Sequence, residues 1–109
     1  MGLAPDFARL ELPEQLNLVR RLLGFHAISR GQSVRVYRGN ILLPLVLKVT
    51  GLTVEAARQL IVTDVMNGSA GMLERGEECT FVFSGANSLN CFRTGVWRVG
   101  SRQISILLP

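Results

Sequence analysis

Hydrophobic and polar positions divide the chain into an early part with helical spacing and a longer part that alternates. Leu12, Leu16, Val19 and Leu23 recur at every third or fourth position, with Leu18 and Leu22 beside them, which gives one broad apolar stripe. Pro13 suits the first helical position, where a missing N–H costs nothing, and Glu14 follows in the first turn. Arg20 and Arg21 sit in the last turn and Gly24 is a natural terminator. A helix is expected over 13–23.

From Ser33 the period changes to two. Val34 and Val36 point one way, Arg35 and Tyr37 the other, as in a half-buried strand. Arg38-Gly39-Asn40 carries turn chemistry. Residues 41–49 are almost wholly apolar, so that strand is expected to be buried on both faces. Pro44 conflicts with this, since proline belongs on an edge strand or at a bulge. After Thr50-Gly51, Thr53 suits an N-cap with Leu52 packing back on the turn, and Ala56, Ala57, Leu60 and Ile61 would form the stripe of a short helix. This segment resembles one helix of a helix-turn-helix, but no second helix follows it.

Residues 61–66 read as a strand and 67–71 as a glycine-bearing loop. Cys79, Phe81 and Phe83 then alternate with Thr80, Val82 and Ser84. Two more strands, 92–99 and 102–108, are joined by Gly100-Ser101 as a two-residue hairpin loop. That loop sets Trp97 opposite Ile104, facing inward, and Arg98 opposite Gln103. The expected fold is a single α+β domain: an N-terminal helix, a β-hairpin, a short helix, then a mostly antiparallel sheet ending in a C-terminal hairpin.

Composition adds a reason for a partner. The 109 residues are 48% hydrophobic and only 18% charged, below the usual ~25%, and mean hydropathy is +0.30. A small domain with few charges has difficulty covering its apolar surface, and the simplest remedy is a surface of its own copies or of another protein. No run approaches the ~20 apolar residues of a spanning helix. Asp6, Arg9 and Glu11 break any secretory leader, and Asp6 stands where a myristoylation signal needs Ser or Thr. A hairpin with its loop over 85–90 sets Ser84 opposite Cys91 and Cys79 opposite Val96, leaving the two cysteines roughly 16 Å apart along the strands. That is too far for a disulfide, so two buried, reduced thiols in a cytoplasmic chain are expected.

Charge is unevenly laid out. The net charge is +4 and the isoelectric point about 10.0. Asp6, Glu11 and Glu14 form one acidic window; Glu55, Asp64, Glu74, Glu77 and Glu78 form the other. Between them lie Arg20, Arg21, Arg30, Arg35, Arg38 and Lys48 with no acid, and after Glu78 come Arg93, Arg98 and Arg102. Lys48 is the single lysine. Arginine makes forked contacts to carboxylate and phosphate, so an anionic partner is implied: an acidic protein surface or nucleic acid. The bland alternative is arginine-rich codon usage at ordinary solvated positions. Arg20, Arg21, Arg35, Tyr37, Arg38 and Arg98 are the candidate binding residues.

No constellation supports catalysis, a metal or a cofactor. His26 is the only histidine and no spacing gives it a nucleophile and a third residue. Cys79, Cys91 and His26 do not make four ligands at zinc spacing. Asn67 to Gly71 lacks the lysine and the glycine order of a phosphate-binding loop. In Asn67 and Ser69 this loop resembles the second half of the cyclic-dinucleotide-binding PilZ motif, but Met72 stands where that motif has glycine. Arg35 and Arg38, which match its upstream arginine pair, are one residue too close. The family is therefore not assigned. The sequence supports a non-enzymatic, self-associating interaction module with a basic face for an acidic partner, or else a small nucleic-acid-binding protein.

Overall fold

A computed structural model describes Glu11, Gln15 and residues 28–86 and 89–109. Among these residues six antiparallel strands run in chain order: β1 Ser33–Arg38, β2 Ile41–Glu55, β3 Arg58–Asn67, β4 Glu78–Ser84, β5 Leu89–Val99 and β6 Gln103–Leu107. They close into a barrel in the order β1-β2-β3-β6-β5-β4. One turn of 3-10 helix, Ala70–Met72, lies between β3 and β4. The α+β expectation is thus overturned in favour of a nearly all-β barrel. The helix expected over 13–23, with Arg20 and Arg21, lies outside the described residues apart from Gln15, as does His26.

The barrel closes because one face of every strand is apolar. Val34 and Val36 of β1, Leu43, Leu45, Leu47 and Val49 of β2, Ile61 and Val65 of β3, Phe81 and Phe83 of β4, Phe92 and Val96 of β5 and Ile104 and Ile106 of β6 share one core. Phe83 stacks on Phe92 with ring centroids 5.0 Å apart and lies tilted to Phe81 at 6.5 Å. Closure leaves no free edge along the paired part of the sheet.

β2 is not buried on both faces. Leu43, Leu45, Leu47 and Val49 point inward, while Ile41, Leu42, Pro44 and Lys48 are exposed. Pro44 sits in an irregularity of the β1–β2 ladder, where Arg35 pairs with Val46 and Tyr37 with Leu42. On its other side β3 has already ended, since Asn67 pairs with Val46. Proline therefore removes no ladder hydrogen bond there, which resolves the conflict met in the sequence. Gly68 passes directly over this point at φ +90°, and a Cβ on it would lie 2.3 Å from the Pro44 carbonyl oxygen. Only glycine fits.

The second expected helix is instead a hairpin arm. Thr53 pairs with Leu60, Val54 with Gln59 and Glu55 with Arg58. Ala56 and Ala57 make the two-residue turn with φ of 52° and 61°, the left-handed pair of a type I′ turn. Alanine favours helix locally, but a helix here would strip Leu60 and Ile61 of their ladder to β6, where they pair with Leu107 and Ile106.

Two registers also differ from expectation. Val82, not Ser84, faces Cys91, and Cys79 faces Thr94. In the C-terminal hairpin Val99 pairs with Ile104 and Arg98 with Ser105, with an irregularity at Trp97 between Val96 and Arg98. Gly100 donates its N–H to the Gln103 carbonyl, so the loop residues are Ser101 and Arg102. The extra residue turns Trp97 out of the core.

Candidate binding surface

Of the six residues singled out in the sequence, four are described, and they fall into three settings. Arg38 is locked. Its Nε donates to Glu77 Oε2 at 2.5 Å, and its Nη2 to Glu77 Oε1 at 3.0 Å and to the Met72 carbonyl at 2.6 Å. This forked pair ties the end of β1 to the loop before β4. The hydrogen bonds from Arg38 hold the Glu77 carboxyl down at about 2, against an ordinary 4.5, helped by the Glu74 backbone N–H and the Cys79 thiol. Burial pushes the Cys79 thiol up to about 11, and the Glu77 carboxylate adds to the rise. Such a thiol is a poor nucleophile. Cys79 faces the core with Phe81 and Phe83; Cys91 is also a buried thiol, and the two are not bonded to each other.

Arg98 is engaged as well. It forms an ion pair with Glu55 near the arm tip. The Trp97 ring is met not by Arg98 but by the Arg58 guanidinium, 6.0 Å from the ring centroid. The arm's outer side therefore curls over β5. On β5 itself, Arg93 bonds Glu11 and lies 3.9 Å from Glu78.

Arg35 and Tyr37 lie on the outer face of β1, Arg35 exposed and Tyr37 half-buried. Arg35 pairs across the sheet with Val46 on β2 and Val82 on β4. Lys48 is one step away, opposite Ser33. Neither Arg35 nor Lys48 forms an ion pair among the described residues, although Asp64 is the cross-strand neighbour of Lys48. Beside these cations the outer faces of β2 and β3 show Leu42, 44% exposed, Pro44 and Met66, 58% exposed.

The structure thus separates residues that the charge layout had grouped. Arg35 and Tyr37 stay together, Arg38 and Arg98 are held by carboxylates at different places, and Arg20 and Arg21 fall outside the described residues. Lys48, Leu42 and Met66 join the surface without having been singled out. Strict alternation along 41–49 would have revealed Leu42, Pro44, Val46 and Lys48 as one outward row.

Among the described residues no three of His, Cys, Asp and Glu gather as metal ligands, and no helix is long and apolar enough to cross a membrane. Asn67 Oδ1 accepts from Gly68 N and Ser69 Oγ from Gly71 N, so both side chains shape their own turn. Compared with family models, curated proteins and solved structures, the chain matches none.

Proposed function

We propose that this chain is a non-enzymatic interaction module, a subunit that joins copies of itself and offers a basic outer face to an acidic protein surface. One observation carries the second half of that reading: among the described residues Arg35 and Lys48 form no ion pair, on a face that also exposes Leu42 and Met66. Cations beside exposed apolar side chains suit a protein partner, where apolar contact gives affinity and charge gives steering. Nucleic acid is the second reading. A stacking platform needs open rings beside the cations, whereas Tyr37 is half-buried and the Trp97 ring is occupied by Arg58.

The test uses polyglutamate peptide and random single-stranded and duplex oligonucleotides as probes. Polyglutamate should bind at low salt, weaken steeply by 0.5 M salt, and lose at least about tenfold in affinity on Arg35→Glu with folding unchanged. Tighter binding to oligonucleotides than to polyglutamate would replace the acidic protein with nucleic acid. No binding of any probe would remove the basic-face reading.

A further inference from the structure

Beyond the barrel, β2 has a strand neighbour on one side only among the described residues. Residues 51–55 pair with β3, but β1 stops at Ser33 opposite Lys48, and no described strand lies along the other side of 51–55. Leu52 is 55% exposed and Val54 66% exposed. Natural edge strands are usually guarded by lysine, proline or a bulge. Here no lysine or proline stands between Lys48 and Glu55, and the one register irregularity of that stretch, between Val49 and Gly51, ends before Leu52.

The ladder fixes which groups are open. Residues flanking a two-residue turn exchange both of their hydrogen bonds, and alternate pairs thereafter do the same. Glu55 and Thr53 therefore direct their N–H and C=O groups to Arg58 and Leu60. Those of Leu52 and Val54 point outward, to the open side. We infer that this edge pairs with the same edge of a second copy, antiparallel, about a two-fold axis at Thr53. The inference rests on the self-association in the proposed function and gives it a site.

The edge is complementary to itself. With Thr53 opposite its own copy, Leu52 of each chain faces Val54 of the other in a hydrogen-bonded pair, and four backbone hydrogen bonds form between copies. All four apolar side chains then lie on one face, because Leu52 and Val54 share a side of the strand. Charge adds to this. The Glu55 carboxylate, which pairs with Arg98 in its own chain, arrives beside residues 50–51 of the other copy. There Gly31 donates to the Val49 carbonyl, and the adjoining Arg30 is exposed and forms no ion pair among the described residues, so it would join a carboxylate already held by Arg98. The shared strand is only about 17 Å long at ~3.3 Å per residue. The contact therefore falls short of the ~1,200 Å² of a standard interface, and the dimer should dissociate at tens of micromolar.

Mass by light scattering from 1 to 300 μM, with cross-linking of Thr53→Cys, tests this. The two-fold pair places the new thiols within disulfide reach, while Cys79 and Cys91 are buried. Mild oxidation should yield a Thr53→Cys dimer on a non-reducing gel. Val54→Pro removes only an outward N–H, and Val54→Lys adds charge to the edge; either should shift dimerisation at least tenfold in concentration with the circular dichroism spectrum retained. A monomer throughout the range would overturn both the pairing and the self-association it rests on. A dimer that persists in both Val54 variants, without Thr53→Cys cross-linking, would keep self-association and overturn this edge as its site.

Discussion

One strand, β2, passes through two environments, and its side chains fare differently in each. In the barrel, from Leu43 to Val49, alternate residues are buried, because neighbouring strands curve the sheet around them. In the arm, residues 51–55 keep β3 as a neighbour but lose β1, and Leu52 and Val54 are exposed although they are as apolar as the residues before them. Hydrophobicity alone does not decide burial here; the number of strands alongside does. The barrel holds the fold, and the arm presents open backbone groups.

The sharpest contrast is a pair of truncations. Phe83→Ala removes a fully buried ring stacked on Phe92 and should cost about 3–5 kcal/mol, enough to unfold a small domain near body temperature. Val54→Ala should cost under ~0.5 kcal/mol in dilute solution. Chemical denaturation of both variants measures the difference. Equal costs would mean that the arm is part of the core.

Glu77→Gln tests the tie between β1 and the loop before β4. It should lose about 1–2 kcal/mol at neutral pH, reduced by salt because Arg38 is half exposed. The sign follows from a carboxyl lowered on folding from 4.5 to about 2. Its stabilisation is complete above pH ~4.5 and disappears as pH falls toward 2. Denaturation between pH 2 and 6 should therefore show a flatter acid limb in the variant. The Cys79 thiol has the opposite slope: raised to about 11 from 9.0, its contribution is complete below pH 9 and is lost as pH climbs through 11.

A gain of stability is expected at the arm tip. Ala56 and Ala57 occupy left-handed conformations that disfavour any side chain with a Cβ. Ala57→Gly, or Asn-Gly at the pair, should gain about 1 kcal/mol and raise Tm by roughly 4–8 °C. A lower Tm would mean that this tip does not form a type I′ turn.

Several strands, though not the barrel they close, were legible in the chain. Alternation at Val34 and Val36 and at Cys79, Phe81 and Phe83 marked inward rows, and Gly39-Asn40 marked the first hairpin. The arm was not legible, because Glu55-Ala56-Ala57-Arg58 has high helical propensity and only the ladders to Leu107 and Ile106 override it. The C-terminal register was misread because a one-residue irregularity at Trp97 leaves no mark in composition.

The candidate surface shows the same division. The sequence alone determined that Arg35 and Tyr37 share a face, since period two fixes the side of a strand on which each residue lies. It also determined an excess of arginine that any fold had to place. Only tertiary structure decided that Arg38 is held by Glu77 and Arg98 by Glu55, while Arg35 and Lys48 form no ion pair among the described residues. Ion pairing across 39 or 43 residues of sequence depends on which strands close the barrel, and local pattern carries no record of that.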